Sequence, residues 1–202
     1  MEFQHELVIP DEGLPFKFFL FEGSQGNYVR EKHWHTSIEI FAVMEGSLTF
    51  YLNDEKHPLK AGELMIINSN EVHSIDSPEE NHTAVLQIPL KQFEDYFTAH
   101  RFIRFAANEQ ETDSQLWRLI REMYKLYGKR GTGYEFKIRS FYYDVFYLLV
   151  NHYRLDEAGE QEVRHSRRLD ALARITSQKR QSSVQRTTAT MLLFSIPQAD
   201  FI

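Results

Sequence analysis

Between His33 and Gly46 the chain reads HWHTSIEIFAVMEG, which sets two histidines and a glutamate at alternating positions in a run that is otherwise apolar. Imidazole and carboxylate are donors for divalent ions of the first transition row and zinc. The chain has no cysteine, so thiolate zinc sites, disulfides and cysteine nucleophiles are excluded. Read as one extended strand, His33, His35 and Glu39 share parity, and so point the same way together with Phe41 and Val43. His73 follows the segment GELMII and the loop NSNEV. These donors could form a site for a divalent ion with positions open to water or substrate, or the polar wall of a pocket for a small molecule.

Such a wall needs strands to carry it. PFKFFLFE, SIEIFAVM, SLTFYLN, GELMIIN and TAVLQIPL are β-branched and aromatic segments within the first 90 residues. They are separated by Glu45-Gly46, Asn53 to Lys56 and Asn68 to Glu71, which have the composition of tight turns. This spacing predicts an all-β sandwich or barrel. Beyond Pro89 the character changes. LKQFEDYF reads as one short helix. A long helix is predicted next, capped at Thr112 or Asp113, with Leu116, Leu119, Ile120, Met123, Tyr124 and Tyr127 at helical intervals and a break at Gly128, Gly131 and Gly133. In the second helix Ile138, Phe141, Tyr142, Val145, Leu148, Leu149 and His152 line one side, while Tyr143, Phe146 and Tyr147 lie elsewhere. A stripe that wide suits either contact with both the barrel and a second subunit, or a single large core contact.

From Asp156 the sequence reads as a polar linker, with RLDALARITSQ as the start of a third helix; SQKRQSSVQRTTAT lacks periodicity, and MLLFSIPQADFI is apolar without an identifiable partner. Charge is divided along the same line. Residues 164–202 carry seven Lys/Arg against two acids, although the whole chain has a net charge of −6. An acidic body with a basic tail fits a binding domain joined to something that meets nucleic acid, and equally a solvated polar tail. The start, MEFQHELVIPDEG, lacks a basic segment followed by an apolar one, and no apolar run approaches the roughly 20 residues that span a bilayer. A cytoplasmic protein with no membrane partner is expected.

The spacing of Gly26, His33, His35, Glu39 and Gly46, followed by Gly62 and His73, resembles the two-motif signature of the cupin superfamily. The resemblance has one extra residue after the first glycine, and Asn68, Asn70 and Ser77 stand where the second motif has proline, glycine and asparagine. The wider stretch from His33 to Ile75, with the helices and basic linker beyond it, is similar to the sensor portion of AraC-type bacterial transcription regulators. The resemblance covers roughly residues 15 to 175. It implies a mainly β protein: a cupin-like double-stranded β-helix or jelly-roll barrel followed by an α-helical hairpin. Residues 1–90 would form the small-molecule-binding barrel, with 1–14 as an arm over the pocket. Residues 91–155 would be the dimerisation region and 156–202 a basic linker with an atypical tail.

The same resemblance implies an effector, sugar-like or another small metabolite, held by His33, His35, Glu39, Phe41, Tyr51 and His73. It also implies a homodimer formed through helices 112–128 and 134–155. No cofactor is required, though His33, His35, Glu39 and His73 could hold zinc, manganese, iron or nickel. In that family two helix-turn-helix units of about 100 residues bind DNA, whereas 27 residues follow Ile175 here. The expectation is therefore a truncated sensor, by frameshift near Ser177 or as a natural sensor-only protein, which would reach nucleic acid only through a missing C-terminal domain. It is expected not to be an enzyme. The alternatives are a metal-dependent cupin isomerase or dioxygenase, and an interaction module without a ligand.

Overall fold

The computed structural model of the chain describes residues 4–23, 28–96, 103–106 and 111–155, all within one compact unit. The strands are β1 (Gln4–His5), β2 (Lys17–Gly23), β3 (Tyr28–Trp34), β4 (Ser37–Leu52), β5 (Glu55–Lys60), β6 (Leu64–Ile67), β7 (His73–Ser77) and β8 (Asn81–Pro89). A 3-10 turn, Leu90–Tyr96, stands where the short helix was predicted; helices α1 (Glu111–Lys129) and α2 (Tyr134–Leu148) follow, and a π turn, Leu149–Tyr153, ends the hairpin. The expected linker, third helix and tail lie outside the described residues, as does Gly26.

β4 organises the sheet. Its first half pairs with β8 and β6, and its second half with β7 and β5, so one strand of 16 residues belongs to both walls of a curled half-barrel. Glu45 and Gly46, expected as a turn between two strands, form a bulge inside this one. The register with β8 shifts between Val43 and Glu45, and Gly46 takes a φ of +74°. A Cβ at Gly46 would run into the carbonyl oxygen of Glu80, so the close approach of the two strands requires glycine. The extra residue inverts parity: Phe41 and Val43 face the barrel interior before the bulge, Leu48 and Phe50 after it.

The other face of β4 carries Ile38, Ile40 and Ala42, which join Phe18, Ala84, Leu86 and Ile88 beneath Leu116, Ile120 and Met123 of α1 and Ile138, Tyr142 and Val145 of α2. Each large side chain buried there contributes roughly 1.5–3 kcal/mol, which ties the helical hairpin to the barrel. Burial on both faces also explains why β4 and β8 read as almost continuous apolar runs. β5 reads differently because it is a largely exposed edge strand, with Pro58 opposite Thr49.

The helices also correct the sequence reading. α1 is described from Glu111, so Thr112 and Asp113 lie inside the helix instead of capping it, and Gly128 lies within its last turn. The break itself falls at residues 130–133, as expected for Gly131 and Gly133; Arg130 and Gly133 take positive φ there, and Gly133 is the N-cap of α2. The apolar stripe of α2 holds as far as Leu149. The π turn then adds a residue to the period, so Tyr153 is buried and His152, expected on the apolar side, is exposed.

Candidate ligand and metal site

The histidines and Glu39 converge, though not from one strand. His33 is in β3, His35 in the break that follows it, Glu39 in β4 and His73 at the start of β7. Pairing of β3 with β7 puts His33 directly opposite His73, and their rings lie 4.2 Å apart between centroids. His35 Nε2 is 2.8 Å and His73 Nε2 3.4 Å from Glu39 Oε2. The other carboxylate oxygen of Glu39 accepts from Gln87 Nε2 at 2.7 Å.

Each imidazole is fixed at its Nδ1 atom. His33 Nδ1 lies 2.9 Å from the Glu31 carbonyl and His73 Nδ1 3.0 Å from the Glu71 carbonyl. Carbonyls only accept, so in these two rings Nδ1 carries the proton and Nε2 presents a lone pair while the ring is neutral. His35 Nδ1 sits 3.2 Å from the Ser37 carbonyl and 2.9 Å from its hydroxyl. Backbone anchoring of this kind orients imidazole ligands at metal centres.

Burial raises the cost of charge on both members of the His35–Glu39 pair, and their mutual attraction outweighs it. Desolvation opposes protonation of His35, but the charge and hydrogen bond of Glu39 raise its pKa; burial likewise opposes ionisation of Glu39, but His35 holds its carboxyl well below the usual range. His33 goes the other way. Burial, reinforced by nearby His73, lowers its pKa to about 4.

His35, Glu39 and His73 can each point one ligand atom within 4.8 Å of the others, and all three are buried. Among the described residues the buried Nε2 of His73 meets no well-aligned hydrogen-bond partner; Glu39 Oε2 faces it at 3.4 Å. This donor set fits a divalent ion with open coordination positions. His33 lies outside that trio, with its Nε2 3.5 Å from Glu6 Oε2.

Next to the trio is a cavity of about 240 Å³ lined by Glu6, Lys17, Phe19, Phe21, Arg30, His33, Glu39, Phe41, Ile75 and Gln87. Residues before Pro15 contribute to it: β1 pairs with β3, Glu6 N donates to the Trp34 carbonyl at 2.9 Å, and Glu6 Oε2 accepts from Arg30 Nη2 at 2.9 Å. Of the expected ligand-binding residues, His33, Glu39 and Phe41 line the cavity, while His35 and His73 stand behind Glu39. Tyr51 does not line it. It lies beyond the bulge, where odd-numbered side chains no longer face inward. Sequence reasoning did not single out Glu6, Lys17, Arg30 or Gln87; for Gln87 the available signal was a lone amide in the apolar run TAVLQIPL.

A family model described as the AraC-like ligand binding domain matches residues 15–145. The chain belongs to that family. No curated protein matches it. Among solved structures, the AraC-like domain is similar to a cupin-2 domain containing protein from Shewanella frigidimarina, at 28% identity over 40% of this chain and 76% of that one, with a TM-score of 0.33. It is similar to the plu4264 protein from Photorhabdus luminescens at 26% identity, 44% and 77% coverage and a TM-score of 0.36. It is also similar to a predicted oxalate decarboxylase from Thermotoga maritima at 25% identity, 38% and 69% coverage and a TM-score of 0.35. Membership of the AraC-like family implies a small-molecule ligand. Among the described residues, no helix is long and apolar enough to cross a membrane.

Proposed function

We propose that this AraC-like domain is the cytoplasmic effector-sensing part of a transcription regulator, that it binds a small metabolite in the half-barrel without turning it over, and that it dimerises through α1 and α2. The observation that carries the reading is the cavity itself: an apolar wall of Phe19, Phe21, Phe41 and Ile75 faces fixed polar groups on Glu6, Arg30, His33, Glu39 and Gln87. DNA binding would belong to sequence beyond this domain. The test is a screen of metabolites against thermal stability, in which a true ligand raises the melting temperature by mass action. A broad panel that leaves the melting temperature unmoved in both chelated and metal-loaded protein counts against the sensor reading.

The anchored histidines support a second reading, a metal-dependent cupin enzyme. A divalent ion bound by His35, Glu39 and His73 would supply Lewis acidity to an oxygen of the ligand. Elemental analysis of untagged protein, paired with an assay for loss of any stabilising metabolite, separates the two. Stoichiometric metal with ligand consumption favours the enzyme, and a ligand recovered unchanged favours the sensor.

A further inference from the structure

The lining residues also bear on which metabolite the cavity takes, an inference that rests on the sensor reading above. Each acid in the lining already has a cationic or donor partner. Glu6 accepts from Arg30 at 2.9 Å, and Glu39 is held by His35 at 2.8 Å and by Gln87 at 2.7 Å. Lys17 has no such partner: among the described residues no carboxylate lies within ion-pair distance of its ammonium group, whose contact is the ring of Phe19, 4.8 Å away at the centroid. Strand register places Lys17 beside Gln87, which is itself beside Glu39. Along β2, alternation then puts Phe19 and Phe21 on the same face as Lys17, and Phe41 and Ile75 complete the apolar lining.

A ligand lying along β2 therefore meets one unpaired cation and then a run of aromatic and aliphatic surface. We propose that the effector is a small carboxylate with an apolar body, its anionic end held by Lys17 and its body against Phe19, Phe21, Phe41 and Ile75. A sugar ringed with hydroxyls would find partners on the polar side of the cavity but none along Phe19, Phe21, Phe41 and Ile75, so a ligand with an apolar body suits that wall better. The volume of about 240 Å³ is below the usual range of pockets for drug-sized ligands, which suits a molecule of the size of benzoate.

The probes are benzoate, its neutral counterpart benzyl alcohol, and glucose. Each is titrated into the full chain in the presence of a chelator while the melting temperature is followed. Benzoate is expected to raise it and the two neutral probes to leave it unchanged. Lys17→Gln, checked for native circular dichroism, should weaken benzoate binding about tenfold or more, the loss of one charge-assisted contact. Lys17→Arg, which keeps the charge, should recover part of it and serves as the second variant if Lys17→Gln fails to fold. A rise with glucose or benzyl alcohol but not benzoate overturns the carboxylate assignment and leaves the sensor reading standing. Benzoate binding of equal strength in Lys17→Gln overturns the role of Lys17. No response to any probe overturns the carboxylate assignment, and the broader metabolite panel then decides the sensor reading on its own.

Discussion

Glu39 is buried with two imidazoles and an amide around it, and the charge states of that group set how stability depends on pH. With metal removed by chelation, three shifts combine. Glu39 has a depressed pKa in the fold, so its contribution is present above the ordinary value of 4.5 and is lost as pH falls through the lower folded value. His35 has a raised pKa, so its contribution is complete below 6.5 and disappears as pH rises through the folded value. His33, held down to about 4, stays neutral where the unfolded chain would protonate, so it costs stability as pH drops from 6.5 towards 4. The slopes contributed by these groups are therefore expected to meet near pH 6.5, the ordinary histidine value from which His33 and His35 depart in opposite directions. Urea midpoints measured across this range should show that His33→Gln flattens the acid slope and that Glu39→Gln abolishes the alkaline one; an alkaline slope unchanged in Glu39→Gln would show that the pair does not control it. The metal prediction belongs at this scale as well. Zinc or manganese should raise the melting temperature of the wild type, and His73→Ala should remove most of that rise because the mutant loses one of three ligands. The donors themselves were legible in the sequence, because histidine and glutamate are conspicuous in an apolar strand. Lys17, Arg30 and Glu6 were not, because a lone charge near a strand end (Lys17, Glu6) or one within a charged run such as Arg30-Glu31-Lys32 normally reads as solvated surface.

At the level of elements, two features hold the site in place. The first is the bulge at Gly46, which turns β4 from one wall of the half-barrel to the other. Composition could not distinguish it from a turn, since a glycine with positive φ serves both; only the pairing of residues on each side with β8 and β5 decides. Gly46→Ala combines a strained φ with a clash against the Glu80 carbonyl and should cost roughly 2–4 kcal/mol in urea denaturation. A loss under about 0.5 kcal/mol, the size of a neutral surface change, would mean that β8 yields easily. The second is Asn68, which stands in the loop leading to His73. Its side-chain amide donates to the Phe105 carbonyl at 2.9 Å and its oxygen accepts from Phe105 N at 2.8 Å. The same loop is tied by an ion pair between Glu71 and Arg104, and Glu71 supplies the carbonyl that anchors His73. Phe105 in turn bridges to Arg154, and Ala106 N donates to Tyr153 O at 3.0 Å. A continuous set of contacts thus runs from the histidine site to the end of the helical hairpin. Asn68→Ala strands two buried backbone groups and should cost about 2–4 kcal/mol. If His73 is held through this loop, the same change should also weaken the metal-dependent rise in melting temperature. The asparagine was visible in the sequence only as a departure from the cupin pattern. Its partner lies 37 residues away, beyond the reach of local spacing rules.

For the whole molecule, the barrel was legible because its doubly buried strands leave apolar runs, and the hairpin because its core stripe keeps a helical period up to the π turn. What covers the outer side of the hairpin is a separate matter. On α2, Phe136, Tyr143 and Tyr147 are 70%, 62% and 62% exposed, and their spacing puts them along one stripe. Beside Tyr147 a groove of about 440 Å³ runs between the helices, lined by Gln115, Arg118, Leu119, Glu122, Asp144 and Leu148. Three large aromatic side chains in water on one helix carry an avoidable hydration cost. A second copy of the hairpin would offer the same apolar stripe in return, with the Arg118 guanidinium of one copy available to the Asp144 carboxylate of the other. The expected result is a dimer in solution by light scattering. Tyr147→Glu should raise its dissociation constant roughly tenfold or more, as for a central aromatic anchor, while leaving the melting temperature of the separated subunit close to that of the wild type. A wild-type chain that stays monomeric at the highest attainable concentration would assign the stripe to some other partner. A stable dimer indifferent to Tyr147→Glu would move the interface off α2.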